Sequence, residues 1–386
     1  MDSLATAVEI VASLLTVCGM AYGLLALLGA KAFQRNAKKR VASGFAPAVS
    51  ILKPVKGVDP RMYAGFVSHC KQRYAGEVEL LFGVRSLEDT AVAEVARLLV
   101  EHPEVSIRLV ECPLSMGTNG KVSSLAQMLP HANFEHIVVN DSDIVVSQDY
   151  LANVMAPFGD DAIGLVTVPY IGLANGTLWS KLEALGISTD FMAGVLTARK
   201  LEGGIRFGLG STLATTKTAL AAIGGFESLV DQLADDYEMG ARLAAAGYRV
   251  ELVNEVVATT VPAYSLRGFC EHQLRWARGT RDSRRAGYIG LGVTYVLPWA
   301  LAAVIASGGA LWSITLLSVA LLIRVSVALT VGVGALRDGQ VLRDILLLPL
   351  RDCFGLFFWA WSYADDTIVW RGERFRLKHG RLEQQR

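Results

Sequence analysis

A chain that carries its apolar residues in long uncharged runs at both ends, with an ordinary mixed stretch between them, has few ways to fold. Residues 8–30 contain one charge, Glu9, and a bilayer core is spanned by about 20 apolar helical residues. Residues 286–336 carry Arg324 as their only charge. That length suits two spans joined by a turn near Ser307-Gly308-Gly309. A charge at membrane depth is costly against lipid, so Arg324 is expected to face protein or headgroups. A third apolar run, 345–364, has Arg351-Asp352 near its middle. It reads as an interfacial or re-entrant segment, with a further span as the alternative.

Charge placement sets an orientation. A cleaved signal peptide would begin with basic residues. Here Lys31, Arg35, Lys38, Lys39 and Arg40 follow the first run instead. Residues 1–32 therefore read as an uncleaved anchor whose C-terminal end lies in the cytoplasm. The tail 365–386 is also basic, and keeping it on the same side requires an even number of crossings after the middle region. The expected location is the cytoplasmic (inner) membrane. A net charge of +1 offers nothing for nucleic acid, and five cysteines without metal-ligand spacing fit a reducing compartment.

The middle, residues 46–285, has ordinary globular composition. Strands are expected at 48–52, 78–84, 105–110 and 135–139, with helices at 90–100 and 121–128. Strand and helix alternate, which argues for an α/β domain with a mostly parallel, Rossmann-like sheet covered by helices.

Asn140-Asp141-Ser142-Asp143 directly follows the apolar strand His136–Val139. Carboxylates one residue apart in extended backbone point to one side. There they can hold a divalent cation, Mg²⁺ or Mn²⁺, that also binds phosphate oxygens. Leu233 to Met239 opens a helix with Asp235 and Asp236. Acidic residues favour a helix's first turn on electrostatic grounds alone, and one of them could equally be a general base. His272 to Gly279 reads as a basic interfacial helix with a Trp anchor; Arg275 could also meet a leaving diphosphate and Trp276 a sugar or acceptor. Lys53 and Lys56 follow the first strand and either bind phosphate or form a solvated loop. Gly208-Leu209-Gly210-Ser211-Thr212 is expected to wall an acceptor pocket. His69, His102, His131 and His136 are expected to be structural or exposed, and Trp359, Trp361 and Tyr363 to form a headgroup-level belt.

Ile51 to Pro60, Gly117 to Lys121, Asp141-Ser142-Asp143, Ala234 to Tyr237 and Arg275-Trp276 occur in an order that resembles the ceramide glucosyltransferase family, over most of the chain. The resemblance implies a GT-A catalytic domain at the cytoplasmic membrane face, a nucleotide-diphospho-sugar donor and inversion at the anomeric carbon. It implies that Asp141 and Asp143 hold metal and donor, and that Asp236 is the base, with Asp235, a further donor-binding candidate, beside it. Arg275 and Trp276 would form the terminal motif. Asn119 and Lys121 would line the nucleotide side, Asp89 would approach uracil or ribose, and Lys53 is the remaining donor candidate. His272 stands where the wider superfamily has Gln or Arg. Within the family the layout is most similar to the bacterial hopanoid-biosynthesis branch, which implies UDP-N-acetylglucosamine as donor and bacteriohopanetetrol as acceptor. Ceramide or another sphingolipid-type acceptor with UDP-glucose is the alternative, and a membrane scaffold or transporter with a degenerate domain is the non-enzymatic one.

Overall fold

The computed structural model describes residues 2–39, 44–370 and 373–384. Arg40 of the first basic cluster and Arg371-Gly372 of the tail lie outside the described residues. The chain divides into two compact units. One comprises residues 37–173, 204–262 and 375–386; the other comprises 1–36, 174–203 and 263–374.

The first unit is built on a seven-stranded mixed sheet. Its strands are β1 (Val49–Pro54), β2 (Val78–Val84), β3 (Ser106–Glu111), β4 (His136–Val139), β5 (Ile163–Thr167), β7 (Leu213–Thr216) and β8 (Arg249–Leu252). Their order is β3-β2-β1-β4-β7-β5-β8. β6 (Tyr170–Ala174) pairs with β9 (Val257–Val261) in a separate ribbon. β1 runs parallel to both β2 and β4, with Val49 opposite Val78 and His136. β7 is antiparallel to β4 and β5, while β5 and β8 are parallel.

Central strands buried on both faces need continuous apolar runs rather than alternation. Val49, Ile51 and Leu52 of β1 and Ile137, Val138 and Val139 of β4 have no exposed surface. Each such side chain contributes about 1.5–3 kcal/mol by leaving water. Parallel strands carry their loops at one end, so the segments after β1 and β4 emerge side by side.

The basic tail is not a simple extension. Glu373–Lys378 and Arg381–Gln384 form an antiparallel hairpin in which Lys378 faces Arg381. Its two-residue turn, His379-Gly380, places both residues at positive φ, the conformation tight hairpins require. The Gly380 carbonyl accepts from Leu233 N, and Leu382 N donates to Asp231 O. The hairpin therefore props the segment leading to Asp235.

The second unit gathers the apolar helices. Ser3–Arg35 and Leu311–Ala335 are each long and apolar enough to cross a membrane; the pair Arg285–Thr294 and Val296–Ala306, bent by 53°, is a third candidate if counted as one span. Pro298 accounts for the bend: it has no N–H to give the carbonyl of Thr294, and its ring crowds that carbonyl. Leu348–Trp361 is a shorter helix of 14 residues.

An uninterrupted catalytic domain over 46–285 was expected, and the division differs from it. Residues 174–203 and 263–285 join the apolar helices because their apolar faces are buried there. Leu185 packs with Ala328, Val341 and Leu348, and Leu182 packs with Phe269 and Phe358.

Gly240 lies where a Cβ would come within 2.4 Å of Gly208 N and 2.5 Å of the Phe207 backbone. Backbone atoms cannot step aside as a flexible side chain can. Gly240→Ala is expected to cost about 1–3 kcal/mol, read as a lowered thermal midpoint in detergent. Gly120→Ala, where an added Cβ meets nothing within 4 Å, should leave the midpoint unchanged.

Candidate active site

The loop after β4 is held from three directions. Asn140 is fully buried, and its Nδ2 donates to Ser211 O at 2.8 Å and to Tyr150 Oη and Thr212 Oγ1 at 3.0 Å each. His69 is buried beside it, with Nε2 3.2 Å from Asn140 Oδ1, so this histidine is structural. From below, Lys53 Nζ donates to the Asp141 carbonyl at 2.9 Å. From the side, Ser142 Oγ donates to Asp59 Oδ2 at 2.7 Å.

These contacts give the Ile51–Pro60 motif a physical task. Lys53 has no exposed surface; it is neither a solvated loop residue nor open to a phosphate arriving from solvent. Burial pulls its ammonium down to about 7, while Asp143 and Asp141 pull the other way. Asp89 Oδ1 accepts from Gly57 N at 2.8 Å and Ala91 N at 2.9 Å. It thereby pins the loop after β1 to the start of the next helix.

Asp143 is half-buried, and its Oδ2 accepts from Thr259 Oγ1 at 2.7 Å and Thr260 N at 2.6 Å. Burial raises its pKa, and those two hydrogen bonds oppose the rise. Thr259 and Thr260 on β9 carried no sequence signal, because only the sheet topology brings them beside the β4 loop.

The second acidic stretch arrives by a different route. Thr118 N and Oγ1 both donate to Asp231 Oδ1, at 3.0 and 3.1 Å. Asn119 N donates to Val230 O at 2.7 Å. The Asn119 side chain is wholly buried. Its Oδ1 accepts from Lys121 N and Val122 N as a helix cap, and its Nδ2 reaches Gln232 O at 2.8 Å and Asp235 Oδ1 at 3.3 Å. Asn119 thus joins two motifs and shows no surface to a nucleotide.

Lys121 closes the cluster. Its Nζ lies 2.9 Å from Asp141 Oδ1 and 3.6 Å from Asp235 Oδ2. Burial alone would lower this ammonium, but Asp141 and Asp235 outweigh it and hold Lys121 charged, above its ordinary range. Asp236 is pushed up to about 6, first by burial and then by Asp235, with Lys121 pulling it back down. A Cβ on Gly210 would lie 3.1 Å from Asp236 Oδ2, and Gly208 N donates to Asp236 O at 3.1 Å. The glycine-rich segment is therefore the close neighbour of Asp236. Ser211 Oγ and Thr260 Oγ1 are buried and have no hydrogen-bond partner among the described residues.

The donor set suits a hard cation. Among the described residues no three His, Cys, Asp or Glu side chains gather into a closed cage. What is present is two carboxylates on one loop. Mg²⁺ and Mn²⁺ sites of that kind complete their shell with water and substrate phosphate. Asp141 and Asp143 fit such an ion on chemistry, with Thr260 Oγ1 as a nearby unsatisfied oxygen.

Arg275 and Trp276 lie in the other unit, on the helix Leu266–Ser283. The Arg275 guanidinium lies 5.9 Å from the Trp370 ring centroid, and Trp276 packs edge-on to Phe191 at 5.8 Å. His272 Nδ1 is 3.0 Å from Glu183 Oε2, so it anchors this helix to the neighbouring one.

Residues 11–383 match the description of Glycosyl transferase family 21. The chain belongs to that family. It is 27% identical to a ceramide glucosyltransferase of Caenorhabditis elegans over 234 residues, 60% of this chain and 50% of the relative. It is 25% identical to an N-acetylglucosaminyltransferase of Bradyrhizobium diazoefficiens over 251 residues, 61% of this chain and 50% of the relative. The chain thus spans about half the length of these relatives. Among solved structures, a mannosyltransferase from Pyrobaculum calidifontis in complex with GDP-Man and Mn²⁺ aligns over 92% of this chain and 97% of its own, with a TM-score of 0.52 and 20% identity. That likeness establishes the GT-A fold.

Because Lys121 lowers the pKa of Asp236, Lys121→Met should raise it and Lys121→Arg should largely restore it. Carboxylate titration followed by difference infrared spectroscopy reads the shift directly. An unmoved transition in Lys121→Met would show that the ammonium does not govern this pair.

Proposed function

We propose that the protein is an inverting glycosyltransferase that moves N-acetylglucosamine from its UDP donor to a hydroxyl of a membrane lipid, bacteriohopanetetrol, at the inner leaflet of the cytoplasmic membrane. The single observation that supports it best is the meeting of Asp141, Asp235 and Lys121, with Asp236 beside them. Three separate stretches converge there on a cluster able to hold a diphosphate and accept a proton. Transfer of glucose to ceramide is the second reading, favoured by the name of the Caenorhabditis elegans relative.

In the proposed reaction Asp236 takes the proton of the acceptor hydroxyl. The oxygen's lone pair forms the new bond to the anomeric carbon from the face opposite the diphosphate. The old bond to the diphosphate oxygen breaks and its electron pair leaves with UDP, so an α-linked donor gives a β-linked product. A divalent cation bound through Asp141 and Asp143 would supply charge stabilisation for the departing diphosphate. Lys121 brings a fixed positive charge to the same corner, where negative charge grows during bond cleavage. Lys53 and Asp59 keep the Asp141 loop in place while the charge changes. Arg275 and Trp276 are assigned to the reaction by the order of motifs alone.

A base whose pKa is about 6 is inactive when protonated, so kcat/KM should fall below roughly that pH and level off above it. Asp236→Asn should lower turnover by about 10²–10⁴-fold while UDP-sugar affinity by calorimetry stays within roughly twofold. Retained turnover would reject the base assignment. Asp143→Ala should weaken Mn²⁺-dependent UDP binding by about tenfold or more; an unchanged titration would remove Asp143 from the metal site. Mass spectrometry of lipids from cells with and without the protein identifies sugar and acceptor together.

A further inference from the structure

Beside the acidic corner, the hydroxyl of Ser211 is fixed in place but takes no part in the bonding that fixes it. Ser211 is 5% exposed, and its Oγ finds no hydrogen-bond partner among the described residues. The groups around it are committed. Its own carbonyl accepts from Asn140 Nδ2 at 2.8 Å. The neighbouring Thr212 Oγ1 lies 3.0 Å from both Asn140 Nδ2 and Tyr150 Oη. Thr167 Oγ1 accepts from Leu209 N at 3.0 Å and donates to Thr212 O at 2.7 Å, so the turn that carries Ser211 is held at both ends. A buried hydroxyl without a partner costs the folded chain stability. In native proteins such a group calls for an explanation: a bound water, an ion or a part in the chemistry.

Its position narrows the choice. β4 and β7 pair as far as Val139 opposite Leu213, so Asn140-Asp141 and Thr212-Ser211 leave the sheet as neighbours. On its other side the turn meets the start of the helix Asp235–Ala245. Gly208 N donates to Asp236 O at 3.1 Å, and a Cβ on Gly210 would lie 3.1 Å from Asp236 Oδ2. Ser211 therefore sits in a turn that touches the Asp141 stretch on one side and Asp236 on the other. In the proposed displacement the diphosphate departs at the first, and the acceptor hydroxyl loses its proton at the second. The transferred sugar has to lie between them. A serine hydroxyl both donates and accepts, which matches the hydroxyls of a sugar. A phosphate placed as close to Asp236 would meet a like charge.

We propose that Ser211 is a specificity-determining residue whose Oγ hydrogen-bonds a hydroxyl of the sugar being transferred. Residues 208–212, which the sequence suggested as a wall of the acceptor pocket, then serve the donor. The proposal rests on the sugar transfer proposed above, and adds to it a group that grips the sugar and not the nucleotide. A site built to bond a substrate hydroxyl discriminates against an analogue that lacks it, because the site's own polar group is then left unpaired. The burial of Ser211 makes that penalty apply here, since solvent does not reach the hydroxyl to replace the missing partner.

The test is calorimetric binding to the full-length protein in detergent with Mn²⁺, which needs no turnover. Ser211→Ala should bind UDP within about twofold of wild type, but UDP-N-acetylglucosamine about three- to tenfold more weakly, the range that one hydrogen bond supplies. Its thermal midpoint should stay level or rise, because an unpaired buried hydroxyl has been removed. A series of monodeoxy UDP-sugars then locates the contact. One analogue should bind the wild type more weakly than the parent sugar does, and should bind Ser211→Ala as the parent does. An unchanged UDP-sugar affinity, or an equal loss of UDP and UDP-sugar, would overturn the assignment. So would a lowered midpoint with both affinities kept, the mark of a hydroxyl that holds an ordered water only. Because binding and transfer are read apart, the two readings fail separately. A sugar-specific loss in Ser211→Ala, in a protein that transfers no sugar, rejects the function and keeps the contact. Normal transfer with wild-type UDP-sugar affinity in Ser211→Ala rejects the contact alone.

Discussion

Carboxylates gathered at the end of the central strand β4 repel one another, and the rest of the sheet-bearing unit is arranged around that repulsion. Two unit charges about 4 Å apart near a protein surface interact by roughly 4 kcal/mol, so Asp141, Asp143, Asp235 and Asp236 need cations folded in with them. Lys121 answers between Asp141 and Asp235, and Lys53 answers from beneath the Asp141 carbonyl. Burial, followed by the charge of Asp235 beside it, pushes Asp236 up to about 6, and Lys121 only partly offsets that rise.

The same logic explains why so much of the unit serves that corner. Asn140 and Asn119 spend both side-chain polar atoms on holding one acidic stretch each. The C-terminal hairpin supports the segment before Asp235 through main-chain bonds. In the helical unit an opposite solution appears, since Asp190, Arg324, Asp352 and Arg351 balance one another.

Much of this was legible in the residue order. The apolar runs located the helices, and the alternation of β-branched strands and amphipathic helices located β1, β2, β3 and β4 to within one or two residues. Asp141, Asp143 and Asp236 stood out because an acidic pair after a buried strand and another at a helix start follow one another in an order that resembles the family's. Several roles were not legible. Lys53 and Asn119 looked like ligand-facing groups, yet both side chains are buried in the scaffold, because sequence position does not reveal which way a loop residue turns. Residues 174–203 read as part of the middle domain, since their composition is intermediate and only packing against Ala328 and Phe358 assigns them to the helices.

Local chemistry in the sequence therefore determined the elements and the acidic motifs, because strand burial, helix starts and bilayer spans leave periodic and compositional marks, while the family resemblance lay in the order of the motifs. The tertiary structure alone decided which carboxylates share a cation, that Thr259 and Thr260 hold Asp143, and that Arg324 finds Asp190 and Asp352. Those are contacts between residues about 20 to 135 positions apart. No local pattern encodes them; they exist only once the sheet order and the helix packing have closed.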